Sequence, residues 1–412
     1  MLNLREGLMA LDIKPKKQKV HSLTGRINPE LLCKAWKSVK RNRGAAGIDG
    51  VSVQKYNENL ETRLDTLMKD LKTRDAFCTP PLKRVYIPKT GSDKLRPLGI
   101  PVVNARIAQE VVRLLINPIF EKQFHADSFG FRHGRSCHQA VEKVCSYLQS
   151  GLRVVVDIDI KGFFDNIPHN VIMTMLRAEI ADGNILDIIE KFLKSGVMED
   201  GKRLATIKGT PQGGVISPLL ANIVLNYLDW KLDSHGYKFV RYADDIVILT
   251  KDVQEAEKAL AITKSILKDL GLETSPEKTK ISTHGKGFQF LGFEIKGANI
   301  VIRSKSKEKF ENALKDITTR HNNFSGEVIE KLNRVLRGTI NYFTTHFTTT
   351  LTYFTEIDKW LRMRIRCMKY KRKWHTDNRR LKTKHIENLG LINGRELCLT
   401  RKAQAKYSLR SN

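Results

Sequence analysis

The sequence predicts an α+β fold up to about residue 303 and a region of helices alone after it. Three observations predict this. Residues 153–160 form a β-branched run that suits a buried strand. Residues 238–250 read as strand, tight turn, strand. From about Ser304 the apolar spacing becomes helical and stays so to the end.

Taken in order, residues 30–43 predict a helix, with Leu31, Leu32, Ala35, Trp36 and Val39 at helical spacing, and they run into a glycine-punctuated loop at 42–50. Residues 85–88 predict a short strand, and 106–120 an apolar-faced helix. Pro168 stands where a helix would begin, at its first position. Ser217 and Pro218 predict a cap and first position for a helix through Leu232, whose Leu219, Leu220, Ile223, Val224, Tyr227 and Leu228 cover one face. Residues 254–270 predict a helix stopped by Gly271. Further strands are expected at 278–282 and 288–295. There is no internal repeat and no low-complexity block.

The chain has 412 residues, of which 41% are hydrophobic, enough for two or three packed units. Lysine and arginine number 72 against 44 acids, a formal charge of +28. Such an excess favours a polyanionic partner, because cations that contact phosphates release condensed counterions. Between Lys359 and Arg380 ten basic residues stand against one acid, Asp377, with Trp360, Tyr370, Trp374 and His375 among them. Cations meet phosphates and flat rings stack on bases. No two of the six cysteines form a C-x2-C pair, which argues against a zinc ribbon and for free thiols. No apolar run reaches the roughly 18 residues of a membrane span, and residues 1–15 lack a signal-peptide core. The expectation is an intracellular, cytoplasmic protein with no membrane partner.

The chemistry centres on Tyr242-Ala243-Asp244-Asp245, two acids in the middle of an apolar hairpin. Like charges this close repel, and burial adds desolvation. A divalent cation relieves both; a turn facing water is the alternative. A second acidic strand, Val154-Val155-Val156-Asp157-Ile158-Asp159-Ile160, puts Asp157 and Asp159 on one face. Carboxylates converging from separate strands suit two metal ions about 4 Å apart, which can activate a 3′-hydroxyl and stabilise a leaving pyrophosphate.

Asp159-Ile160-Lys161-Gly162-Phe163-Phe164-Asp165 resembles motif A of reverse transcriptases, and Tyr242-Ala243-Asp244-Asp245 resembles their Y-x-D-D box, about eighty residues further on. The resemblance is specifically to the enzymes encoded by group II introns and extends along nearly the whole chain. It implies a right-hand polymerase with fingers and palm followed by a helical thumb. Counting from Asp159, the motif's aromatic falls on Phe164, which implies Asp159 as metal ligand and Phe164 as a gate against the 2′-hydroxyl of a ribonucleotide. Asp157 then becomes a supporting acid. Asp244 is implied as the firmer metal ligand and Asp245 as its weaker catalytic partner. The Ile160 main chain completes the implied metal set, for two Mg2+ ions.

Pro211-Gln212-Gly213-Gly214-Val215-Ile216-Ser217-Pro218 resembles the family's Q-G-x-x-x-S-P block, implying that Gln212 touches a nucleotide and that Gly213 lies against the template. Residues 87–101 resemble the fingers hairpin, with Lys89 and Arg96 where the triphosphate-binding cations fall and Lys94 competing with them. Phe129-Gly130-Phe131-Arg132-His133-Gly134-Arg135-Ser136 resembles the next block, with His133 in place of the usual proline and Arg132 expected near the nucleic acid. Lys278, with Lys280 as the alternative, matches the motif D lysine that could protonate pyrophosphate. Phe290-Leu291-Gly292-Phe293 resembles the primer grip, which implies Leu291, Gly292 and Phe293 as primer contacts; a core strand with a close-packed glycine is the alternative. Residues 42–50 resemble the amino-terminal lid, and 332–342 the start of the thumb or maturase domain, including Arg337. Lys371, Arg372 and Lys373 open what looks like a short DNA-binding tail.

These resemblances imply an N-terminal extension over 1–60, fingers and palm over 61–303, thumb over 304–370 and tail over 371–412. They imply an enzyme that copies its intron RNA into DNA from deoxynucleoside triphosphates and a DNA primer, and that assists splicing. A maturase that only binds RNA, and a domesticated polymerase of defence or repair, are the alternatives. No H-N-H nuclease follows, so the expectation is the endonuclease-lacking lineage. The sequence assigns no oligomeric state.

Overall fold

The computed structural model describes residues 18–88, 95–374 and 376–410. Lys89, Lys94 and His375 lie outside the described residues. The chain divides into two compact units that meet between Ile281 and Ser282.

The first unit opens with helices α1 (Pro29–Arg41), α2 (Val53–Asn57) and α3 (Leu60–Lys72). Strands β1 (Leu82–Pro88) and β2 (Leu95–Ile100) form an antiparallel hairpin, and the long helix α4 (Val103–Glu121) follows. Helix α5 (Cys137–Gln149) starts on a capping box made by Ser136 and Gln139. Then come β3 (Val154–Asp159), the one-turn helix α6 (Phe163–Asn166), α7 (His169–Glu179) and α8 (Gly183–Leu193). A short hairpin, β4 (Val197–Glu199) and β5 (Lys202–Leu204), precedes α9 (Ser217–Ser234). The hairpin β6 (Lys238–Tyr242) and β7 (Asp245–Thr250) leads into α10 (Val253–Asp269) and β8 (Lys280–Thr283).

Two sheets result, in the orders β2-β1-β4-β5 and β6-β7-β3-β8. The pairs β3–β7 and β6–β7 are antiparallel. On one face of the second sheet Val154, Val156, Ile158, Phe239, Ile246 and Ile248 are buried in one hydrophobic core with the inward sides of α4, α7, α9 and α10. Strand alternation leaves Asp157 and Asp159 on the other face. The α+β class is as expected.

Several local expectations change. Pro168 is the cap of α7, one place before its first turn. Ser217 and Pro218 occupy the first two positions of α9, with Ile216 as its cap. Helix α9 is also not one-sided: Ala221, Asn222, Leu225, Asp229 and Leu232 are buried along with the expected stripe. A helix packed on several sides has no solvent face for an amphipathic pattern to report. β8 begins at Lys280, because residues 275–279 are taken up by turns in which Lys278 and Thr279 donate to the Ser275 carbonyl.

The second unit begins with the strands β9 (Phe288–Phe290), β10 (Phe293–Lys296) and β11 (Asn299–Ile302), an antiparallel meander. The single strand expected at 288–295 is therefore two. Leu291 at φ 47 and Gly292 at φ 86 form the two-residue turn between them, the combination a tight hairpin demands. Helices α11 (Ser304–Ile317), α12 (Gly326–Phe343) and α13 (Leu351–Tyr370) follow, then α14 (Asp377–Arg380), α15 (Thr383–Asn388) and α16 (Gly394–Arg410). The helical run after Ser304 matches the sequence. Helix α16 is docked on α12 and α13. The buried Asp358 of α13 accepts from the Gly394 and Arg395 amides at 2.9 and 2.8 Å, capping α16 from another element. All six cysteines are free. Among the described residues, no helix is long and apolar enough to cross a membrane.

Candidate active site

Asp159 ends β3 and pairs directly with Asp245, the first residue of β7. Asp244 occupies the two-residue turn between β6 and β7, after Ala243 in the left-handed region at φ 57. The expected convergence of two separate stretches is thus observed. Burial pushes the Asp244 carboxyl above the usual carboxylate range and the charge of Asp159 adds to that, while Arg96 and Lys278 pull it back down. Asp157, two residues before Asp159 on the same face, is pushed up to about 6 by burial, then by Asp245 and Asp159, with Lys280 opposing. The site gathers negative charge faster than it neutralises it.

One cation partly relieves the crowding. The Lys278 ammonium sits 3.1 and 3.0 Å from the two oxygens of Asp159, 119 residues away in sequence. Lys280 lies toward Asp157 instead. The Ser275 amide donates to the Asp159 carbonyl at 2.7 Å, and Lys161 donates to Glu273 at 2.9 Å. These bonds flank the bridge between Ile160 and Thr274 and do not use the Ile160 carbonyl, which antiparallel geometry turns toward the opposite edge.

A divalent cation fits this donor set. The side chains offer carboxylate oxygen only, the preference of a hard ion, and an ammonium already occupies Asp159 as a stand-in charge. Among the described residues no three histidine, cysteine or acidic side chains close into a cage.

The surrounding loops are tied to one another by backbone. Thr210 donates to the Phe164 carbonyl at 2.7 Å, and Gly99 of β2 donates to the Gln212 carbonyl at 2.7 Å. Phe164 is half-buried, its ring 5.3 Å from that of Phe163. Gly213, at φ 111, lies against the Gly99 carbonyl, where a Cβ would also come within 3.1 Å of Leu98. Its bare Cα is required by this packing on β2, and the residue is exposed on its other side. Arg96 is exposed on β2 and faces Asp244.

Arg132 is a correction. Its guanidinium takes Glu121 at 2.8 and 2.7 Å and the carbonyls of His125 and Ser128 at 2.7 Å each, and its side chain is 6% exposed. With four of its five N–H donors committed, this fork braces its own loop and offers little to nucleic acid. In the second unit, Phe293 is also corrected: it is fully buried, with ring contacts to Tyr342 and Phe343 at 5.7 and 5.1 Å. Leu291 and Gly292 remain partly exposed at the turn, with the Tyr342 hydroxyl donating to the Leu291 carbonyl at 2.8 Å. Arg337, Arg372 and Lys373 are exposed. Lys371 donates to the carbonyls of Arg320 and Asn322 at 2.7 and 2.8 Å, so it ties the end of α13 to the loop after α11.

Sequence reasoning missed Gly130. A Cβ there would lie 2.9 Å from the Tyr242 carbonyl carbon and 3.0 Å from the Ala243 Cα, and closer still to the Ala243 nitrogen. Only a glycine lets the 127–131 segment run flat against the carboxylate turn. Gly130→Ala is expected to lower stability by about 1–3 kcal/mol or displace the turn, read as a lowered thermal midpoint together with slowed primer extension. A wild-type result on both counts would mean the two segments are not in contact. Also missed were Asn222, Asp229 and Arg241, buried beneath the turn. The available signal was polar residues at core positions: Asn222 and Asp229 seven apart on one helix face, and Arg241 inside a β-branched hairpin.

Residues 87–295 match the reverse transcriptase (RNA-dependent DNA polymerase) family, and residues 307–386 match the group II intron, maturase-specific domain. Protein YkfC of Escherichia coli is 32% identical over 320 residues, covering 68% of this chain and 82% of that protein. The group II intron-encoded protein LtrA of Lactococcus lactis subsp. cremoris is 31% identical over 337 residues, covering 66% of this chain and 55% of LtrA. An uncharacterised 91 kDa protein in the cob intron of Schizosaccharomyces pombe is 25% identical, covering 77% of this chain and 50% of that one. The chain thus spans most of the first and about half of the other two. By these matches and by the carboxylate geometry, this chain belongs to the reverse transcriptase family, in its group II intron-encoded branch.

Proposed function

We propose that the protein copies the RNA of a group II intron into DNA by two-metal-ion nucleotidyl transfer, and that it also assists the splicing of that RNA. The observation that carries the reading is Asp159 paired across the sheet with Asp245, with Asp244 at the adjoining turn. A protein that only bound RNA would have no use for acids crowded in this way, which repel one another. The charge of +28 and the maturase-specific match suit a partner rich in phosphate.

Asp159, Asp244 and the Ile160 carbonyl would hold two magnesium ions, with Asp245 beside them. Bound there, the ions would lower the pKa of the primer 3′-hydroxyl and offset the charge developing on the pyrophosphate. The chain's own groups do the rest. Arg96, together with Lys89, holds the triphosphate. Phe164 fills the space a 2′-hydroxyl would need, and Gln212 lies along the nucleotide. Lys278 gives a proton to the departing pyrophosphate. Leu291 and Gly292 meet the primer. Fingers and palm span 61–303, the thumb 304–370, and the basic segment beyond binds DNA.

The test is DNA synthesis on a defined RNA template with deoxynucleotides, with and without Mg2+. Synthesis that depends on the metal supports the reading. RNA binding without any extension would leave only the splicing role.

Arg337, Arg372 and Lys373 are proposed to contact phosphates. Replacing Arg337 and Lys373 with Ala should flatten the slope of log affinity against log salt by about two, one per cation lost. Binding titrations between roughly 50 and 200 mM salt measure it; an unchanged slope puts the binding surface elsewhere. Lys371 is a poor choice for this test, because its loss also frees two carbonyls.

A further inference from the structure

We propose that Arg241, gripped by Asp229 and Asn222, is a positioning residue that sets the orientation of Asp244 through the backbone of the turn. The inference rests on Asp244 being a metal ligand. Arg241 is the largest fully buried side chain of the described residues. An ion in a core is tolerated only when its hydrogen-bonding groups are satisfied. Its Nε and Nη2 donate to the two oxygens of Asp229 at 2.8 and 2.6 Å, a bidentate fork. Its Nη1 donates to Asn222 Oδ1 at 2.8 Å and to the Ala243 carbonyl at 3.0 Å.

That last bond is the informative one. The Ala243 carbonyl belongs to the peptide that joins Ala243 to Asp244. Ala243 is in the left-handed region, sparsely populated by residues other than glycine. Such a conformation persists only where the surroundings over-determine it. Here they do so from several sides. The guanidinium holds the carbonyl, and Asn222 Nδ2 donates to the Gly130 carbonyl at 2.8 Å, keeping Gly130 against the turn. Phe129 donates to the Arg241 carbonyl at 2.8 Å, and Arg241 donates to the Asp127 carbonyl at 2.9 Å. With that peptide plane held on one side, and Asp245 paired in the sheet on the other, the Cα–Cβ direction of Asp244 is held too.

A buried ion pair could serve stability alone. An apolar pair of similar volume often serves stability as well or better. Such a pair cannot supply a donor to the Ala243 carbonyl, and the experiment uses this difference. The full-length chain carries Arg241→Met together with Asp229→Leu, or Arg241→Lys alone, or Asn222→Ala alone. Each is measured for its thermal midpoint, for RNA affinity, for Mn2+ binding by electron paramagnetic resonance, and for kcat and KM in DNA synthesis.

The paired variant is expected to melt near the wild type and bind RNA as tightly. It should bind Mn2+ about tenfold more weakly and lose about tenfold or more in kcat, with a smaller change in KM for the nucleotide. Arg241→Lys and Asn222→Ala should move in the same direction by less. A paired variant that folds, binds Mn2+ and turns over like the wild type overturns the proposal. Should the paired variant not fold, the two single variants, which keep a charge over Asp229, decide on the same readouts. If wild type and Asp244→Asn bind Mn2+ equally, the metal-ligand reading itself fails. If they differ while the Arg241 and Asn222 variants match the wild type, only the positioning role does.

Discussion

Asp244→Asn is expected to reduce DNA synthesis by about a thousandfold or more while RNA affinity stays within about twofold. The substitution keeps the shape of the side chain and removes its charge. Asp244 sits in a two-residue turn whose backbone is held by Arg241, so an amide there should not disturb the hairpin. It should relieve the fold slightly, because burial and Asp159 both disfavour the ionised form. A neutral carboxamide oxygen holds a hard cation more weakly than a carboxylate does. Loss of chemistry without loss of stability is therefore the expected signature, read by single-turnover primer extension beside a thermal melt and an RNA titration. Asp159→Ala should give the same loss and also release the Lys278 ammonium. Either variant extending primers at the wild-type rate would end the assignment.

Phe164→Val is expected to raise ribonucleotide incorporation relative to deoxyribonucleotide by about ten- to a hundredfold, with little change in the rate for deoxynucleotides. The ring is placed by a one-turn helix that follows Gly162, which is in the left-handed region at φ 51. The Phe164 carbonyl is bonded to Thr210, two residues before Gln212. Shortening the side chain opens space without touching the backbone that locates it. Competition between the two nucleotide types on one template measures the ratio. Unchanged discrimination would put the gate on another residue.

The carboxylates were legible because they break a local rule. Asp157, Asp159, Asp244 and Asp245 interrupt apolar β-branched runs, and strand alternation alone places Asp157 and Asp159 on one face. The two-residue turn and the strand pair around it follow from the same pattern. What escaped was decided by partners that the local pattern does not mark. Arg132 carries no sequence mark separating a phosphate contact from a brace on Glu121. Phe293 reads equally as a primer contact or as core until Tyr342 and Phe343 are seen against it. Gly213 is unusual for a reason that lies in β2, over a hundred residues earlier. That α16 is helical was legible, but its docking was not, because its start is capped by Asp358, 36 residues before it.

The ammonium lodged on Asp159 separates assembly from activation. In small zinc domains the cation is part of the fold, and chelation unravels the chain. Here a lysine 119 residues further along the chain already balances one acid of the centre, so a chelator should silence the protein and leave it standing.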